Sequence, residues 1–258
     1  MGTETARLVM TTLCTVLIST ALTACRANGD EGRMPAHANI APILLFNGTG
    51  TSPQDVAALK KILSGQPLSY STVDSPQLNG MGESQIREYR LLIVPGGNFE
   101  HIGNSLTSST IAKIHNAIHN GLNYLGICAG AFLAGSLPYN GLDLTSGSRF
   151  GFYAAESRGI RKAALAITAA GGQTLDQYWE DGPQLTGWGA VVAKYPDGTP
   201  AVVEGTFGSG WVVLTGVHPE APASWRRGMD FRTPVEIDHA YAATLIRAAL
   251  NRELIPHY

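Results

Sequence analysis

Cys128 stands in Gly126-Ile127-Cys128-Ala129-Gly130. That run has the form of a nucleophile elbow with sulfur in place of a hydroxyl. In such an elbow the nucleophile sits on a sharp strand-to-helix turn. The residues two before and two after it must be small, because the turn brings them close. The helix start aims backbone N–H groups and a positive dipole end at the sulfur, which favours thiolate. Taken alone, a core cysteine on a Gly-rich strand end fits the same residues. A thiol nucleophile also needs a base, and the base needs an orienting acceptor. His218-Pro219-Glu220 supplies both within three residues, directly after an apolar run. The expected arrangement has Glu220 on one imidazole nitrogen while the other faces Cys128, with Pro219 stiffening the link. A third element is Pro95-Gly96-Gly97. The turn at Gly96 and Gly97 leaves the Gly97 N–H free to stabilise an oxyanion, with the Ala129 N–H as partner donor. His115 and His119 have the i, i+4 spacing of a metal pair, but no carboxylate or Cys beside them completes a site. They read as a solvated helix face, and no metal or cofactor is expected.

The elements that carry these residues follow from pattern. Pro42 to Phe46 is a short apolar run without alternation, as in a strand buried on both faces, and Leu68 to Val73, Arg90 to Val94 and Leu122 to Ile127 are predicted as further strands. Ser52 caps a helix that Pro53 opens, with Val56, Leu59 and Ile62 as its stripe. Another helix is predicted from about Ser108 to Asn120, closed by Gly121. This alternation predicts an α/β fold with a doubly wound, mostly parallel sheet flanked by helices. Active sites in such sheets lie at the carboxyl ends of the strands, where Gly96, Gly97 and Cys128 fall. The later half is richer in β-hairpins, with turns at Tyr195 to Thr199 and Gly208 to Gly210. Thr233-Pro234-Val235-Glu236 reads as a capping box opening a last helix to about Asn251.

The chain has 258 residues, 15% of them charged, and a formal net charge of -2. Nothing in that balance suggests nucleic acid as a partner. The three cysteines are Cys14, Cys25 and Cys128. Leu8 to Ala21 is apolar but shorter than the ~20 residues a span requires. With Leu22-Thr23-Ala24-Cys25 behind it, the segment resembles a bacterial lipoprotein signal. That resemblance implies a signal peptide over residues 1–24, acyl chains such as palmitate on Cys25, and a place on the periplasmic face of a cell-envelope membrane. Arg26 after Cys25 favours the outer membrane in a Gram-negative host. Residues 25–39 read as a flexible tether, and residues 40–258 as the folded domain. Cys128 is then a lone thiol in an oxidising compartment, a liability unless buried or used.

In order along the chain, Val94-Pro95-Gly96-Gly97, the run around Cys128 and Gly216-Val217-His218-Pro219-Glu220 resemble the three signatures of the class I glutamine-amidotransferase-like superfamily. More narrowly, about Ile40 to Asn251 resembles the biotin-protein ligase N-terminal domain family in its stand-alone bacterial lipoprotein form. The resemblance implies a Cys128–His218–Glu220 triad and an oxyanion hole at Gly96, Gly97 and Ala129. It also implies a pocket bordered by Tyr178-Trp179-Glu180-Asp181-Gly182-Pro183. Biotin ligation is not expected of this chain. Glutaminases of the superfamily carry Gln four residues after the nucleophile, and Phe132 stands there instead. The expected function is an envelope-anchored cysteine hydrolase or amidase acting on an amide, peptide or γ-glutamyl bond of a small-molecule or peptide substrate. The alternative is a non-catalytic ligand-binding module on the same fold. Thiol-reactive relatives with His directly after the nucleophile rank behind both, because Ala129 is at that position.

Overall fold

The computed structural model describes residues 41–258. The signal, the tether, Cys14 and Cys25 lie outside the described residues. Strand and helix alternate through the first half: β1 (Ile43–Phe46), α1 (Pro53–Gly65), β2 (Tyr70–Val73), α2 (Ser75–Gly80), α3 (Glu83–Ile86), β3 (Leu91–Val94), α4 (Phe99–Ser105), α5 (Ser108–His119), β4 (Asn123–Ile127) and α6 (Ala129–Ala134). The second half is mostly strand: β5 (Gly151–Phe152), β6 (Lys162–Ala169), β7 (Thr174–Glu180), β8 (Pro183–Gln184), β9 (Ala190–Lys194), β10 (Pro200–Phe207) and β11 (Gly210–Thr215). It closes with α7 (Val235–Asn251).

One nine-stranded sheet runs β2-β1-β3-β4-β11-β10-β9-β6-β7. The five strands from β2 to β11 are parallel. From β11 outward the pairing is antiparallel. The fold is the expected doubly wound α/β sheet flanked by helices, extended by the hairpin-rich half. β1, β3 and β4 are buried along their whole lengths, which is why β1 and β3 are wholly apolar and β4 is so apart from Asn123. Successive side chains point to opposite faces. Ile43, Leu45 and Leu125 pack with α1 and α7 on one side. Leu44, Phe46 and Tyr124 pack with α5 and α6 on the other.

The Ser52 hydroxyl accepts the Asp55 N–H at 3.3 Å and caps α1, with Val56, Leu59 and Ile62 on its buried face. Asp197 Oδ1 accepts the Thr199 N–H at 3.0 Å and fixes the turn between β9 and β10. The capping box expected at Thr233 does not form. α7 begins after Pro234 without a side-chain cap, because the Thr233 hydroxyl instead accepts the Asp176 N–H of β7 at 2.8 Å. The expected solvated face at His115 is half-buried: its Nδ1 bonds the Leu142 carbonyl at 2.8 Å, and its ring meets Phe207 edge-on.

Candidate active site

Cys128 follows the last residue of β4 with φ 49° and ψ −102°, a strained conformation for a non-glycine residue. Its N–H donates to the Thr215 carbonyl of β11 at 2.8 Å, which ties the elbow to the neighbouring parallel strand. The small flanking residues are required by packing. A Cβ on Gly126 would meet the Gly130 carbonyl oxygen at 2.5 Å, and one on Gly130 would meet the Val94 oxygen at 2.0 Å. The thiol is buried and donates toward the Glu180 carbonyl, with Sγ 3.6 Å from that oxygen.

His218 lies just beyond β11. Its N–H donates to the Tyr178 carbonyl at 2.8 Å, so β7 at the far end of the sheet folds back to hold it. Nδ1 is 2.8 Å from Oε1 of Glu220 and 3.2 Å from Oδ1 of Asp55. Asp55 is not among the residues that the sequence motifs single out. It is 163 residues from His218 in the chain, and only its burial in a helix's first turn hints at a role. Gly96 packs beneath this group, where a Cβ would lie 2.5 Å from His218 Cε1 and 2.7 Å from Asp55 Oδ2.

Charge is distributed unevenly in this cluster. Burial alone would lower the His218 pKa, but Cys128, Asp55 and Glu220 outweigh it and hold it well above the usual imidazole value. Burial pushes Glu220 up to about 8. Burial also acts to raise Asp55, yet the His218 charge and hydrogen bonds from Glu220, His218 and Ser52 bring it below the ordinary carboxylate value. Asp55, His218 and Glu220 place three donor atoms within 4.8 Å of one another. Nδ1 lies within hydrogen-bond distance of both carboxyl groups. We read them as a hydrogen-bonded set rather than a cation site.

Cys128 and His218 line one cavity of about 440 Å³ together with Asp55, Gly97 and Ala129. Among the described residues, the N–H groups of Gly97 and Ala129 have no acceptor, so both are free to donate into it. Gly97 has φ +145°, and a Cβ there would meet the Gly50 carbonyl oxygen at 2.1 Å. Gly96 does not line the cavity; its carbonyl accepts the Ser52 N–H at 2.9 Å. One wall is aromatic: Phe132 lies 4.6 Å from Phe99 and 5.1 Å from Phe152, centroid to centroid. Glu180, Asp181 and Trp225 line the cavity as well. The first two come from the segment whose resemblance implied a pocket border. Sequence reading missed Trp225, Phe99 and Phe152, which carry no local motif.

Residues 41–161 match the family model described as biotin-protein ligase, N terminal. That segment is similar to this family. It contains Asp55, Gly97, Cys128 and Ala129, while His218 and Glu220 lie beyond the match. A curated relative, the biotin–protein ligase of Schizosaccharomyces pombe, is 25% identical over an alignment covering 74% of this chain. The chain spans only 35% of that protein's length. Among solved structures, SMU.1228c matches with a TM-score of 0.51 at 14% identity, covering 82% of this chain and 98% of that one. The exo-β-1,4-mannosidase Op5Man5 from Opitutaceae bacterium strain TAV5 matches with a TM-score of 0.52 at 15% identity, covering 82% of this chain and 36% of that one. At such identities the likeness concerns the fold alone. The fold and the three motifs agree with a class I glutamine-amidotransferase-like, biotin-protein ligase N-terminal module.

Proposed function

We propose that this module is a cysteine-dependent amide hydrolase. The carrying observation is the strained Cys128, lining one cavity with a His218 whose Nδ1 is held by buried carboxyl groups. In this reading His218 accepts the Cys128 proton, and the thiolate attacks the amide carbonyl carbon. The oxyanion is received by the N–H groups of Gly97 and Ala129. His218 returns the proton to the leaving amine as the C–N bond breaks, leaving a thioester on Cys128. Water deprotonated by His218 then attacks the thioester and releases the acid, and the thiol is restored. The aromatic wall of Phe99, Phe132 and Phe152 favours an apolar group beside the scissile bond. Biotin ligation is no part of this reading.

The test is alkylation of Cys128 by iodoacetamide, followed on the Cys128 peptide. A thiol paired with His218 reacts quickly near neutral pH, well below the ordinary thiol pKa of about 8.5. His218→Ala is expected to slow it strongly. A rate unchanged by His218→Ala would leave the binding-module reading in its place. We also propose that the chain is tethered to the periplasmic face of a membrane by acyl chains on Cys25. The support is the residue pattern from Leu8 to Cys25. Among the described residues, no helix is long and apolar enough to cross a membrane.

A further inference from the structure

His218 has two carboxyl groups against one ring nitrogen, and Nδ1 carries a single hydrogen. Oε1 of Glu220 is at 2.8 Å and Oδ1 of Asp55 at 3.2 Å. Both side chains are buried, Asp55 at 1% exposure and Glu220 at 0%. Among the described residues their ion-pair partner is His218 alone. Two negative charges this close, buried, with one positive charge between them, repel each other in a medium of low dielectric. Oε2 of Glu220 is also buried without a partner among the described residues. An oxygen in that position is costly as a bare acceptor. As an acid O–H it becomes a donor, and the two carboxyl groups bring oxygens within 4.8 Å of each other beside the imidazole.

We infer that Asp55 is a second positioning residue for His218, and that Asp55 and Glu220 hold one proton between their two carboxyl groups. The inference rests on the reading of Cys128 and His218 as a working pair. Asp55 is the charged member. It lies in the first turn of a 13-residue helix, α1, where a negative charge is favoured. Glu220 is the neutral member, and the opposite displacements of the two pKa values agree with that division. The other titratable groups facing His218 are Cys128, before α6, and Tyr178, on β7. The Tyr178 hydroxyl is already engaged, donating to Oε2 of Glu180 at 2.6 Å. The arrangement is redundant. If Asp55 loses its charge, Glu220 releases the shared proton and takes over. If Glu220 becomes an amide, Asp55 stays charged. The imidazolium that forms when Cys128 is deprotonated keeps one counter-charge in either case.

The experiment measures alkylation of Cys128 by iodoacetamide across pH in the full chain. The variants are Asp55→Asn, Glu220→Gln, the double variant and His218→Ala. Each single amide substitution is expected to slow the neutral-pH rate by about tenfold or less, and the double by more than about a hundredfold. In both single variants the rate–pH curve keeps its foot near neutrality. In the double variant it moves up toward an ordinary thiol near about 8.5. Asp55→Ser serves beside Asp55→Asn to separate loss of charge from misfit of the amide. A Glu220→Gln variant as slow as the double, with Asp55→Asn at the wild-type rate, overturns the inference and returns Glu220 to sole orienter. So does an Asp55→Asn variant as slow as the double. An unchanged rate in His218→Ala instead overturns the underlying pair reading, so the two failures are told apart.

Discussion

Gly96 has no side chain because the imidazole of His218 and the carboxylate of Asp55 occupy the space one would fill. A methyl group there would lie 2.5 Å from Cε1 and 2.7 Å from Oδ2, so Gly96→Ala must push both groups away. Overpacking of this kind costs about 1–3 kcal/mol. The variant should also alkylate at Cys128 roughly tenfold more slowly, because positioning errors at a reacting pair are expensive. Gly80→Ala is the control, since nothing lies within 4 Å of a Cβ at that position. A Gly96→Ala protein as stable and as reactive as this control would show that the imidazole is not confined there. At the same scale, Phe132 lines the cavity where glutaminases of the superfamily carry Gln, and under the proposed function it bears on what the cavity rejects. A ring cannot make the hydrogen bonds with which a polar site recognises glutamine, and losing such contacts costs several powers of ten in discrimination. Purified protein is therefore expected to release negligible ammonia from L-glutamine, with Cys128→Ala as the blank. Robust Cys128-dependent release would restore a glutaminase reading.

The α1 helix couples stability to the site. Its Ser52 cap accepts the Asp55 N–H at 3.3 Å, and Asp55 is the residue that reaches His218. Ser52→Ala is expected to cost about 1 kcal/mol in urea unfolding. It should also slow Cys128 alkylation by a few-fold, because the first turn of α1 then frays. Loss of stability with no change in thiol reactivity would mean that Asp55 is held independently of its helix. Element identity was unevenly legible. The buried parallel strands announced themselves as unbroken apolar runs, and the Asp197-Gly198 turn as a hairpin. β6 did not. Lys162-Ala163-Ala164-Leu165-Ala166-Ile167 is rich in helix formers, and the residues are extended because β7 and β9 pair with them. The final helix was foreseen but its cap was misassigned, since Thr233 is taken by β7.

At the scale of the whole molecule, the buried carboxyl and imidazole groups make stability depend on pH. The Glu220 pKa is about 8 in the fold against 4.5 for the free group. It therefore contributes stability that is fully present below 4.5 and lost as pH rises toward about 8. The raised pKa of His218 acts in the same sense, from 6.5 upward. Asp55, displaced the other way, contributes above 3.8 and loses that contribution only in acid. Unfolding free energies should thus fall between about pH 5 and pH 8, and the fall should be shallower in Glu220→Gln. An identical slope in the two proteins would mean that Glu220 is ionised in the fold at neutral pH. The proposed anchor is tested separately. Each buried CH₂ of an acyl chain contributes ~0.8 kcal/mol, so several chains hold a protein firmly. Cys25→Ser should release the protein from membranes or block its processing. An unmodified Cys25 on a membrane-free mature form would count against the anchor.

The sequence by itself determined those features whose physics is local. An elbow needs small residues at fixed offsets from its nucleophile, so Gly126, Cys128 and Gly130 could be read together. His218 and Glu220 are two residues apart, and their hydrogen bond needs no distant partner. Buried parallel strands show their apolar character in five consecutive letters. What the tertiary structure alone decided depends on the strand order of the sheet. Asp55 meets His218 because β1 and β11 both lie within the parallel array, their carboxyl ends at one edge, though 163 residues separate the two side chains. The Glu180 carbonyl reaches Cys128 because the chain at the end of β7 folds back over that edge. Phe99, Phe132 and Phe152 form one wall only after α4, α6 and β5 converge on the cavity. No spacing in the chain encodes those meetings. They follow from burial of two apolar faces, which fixes where every strand end must lie.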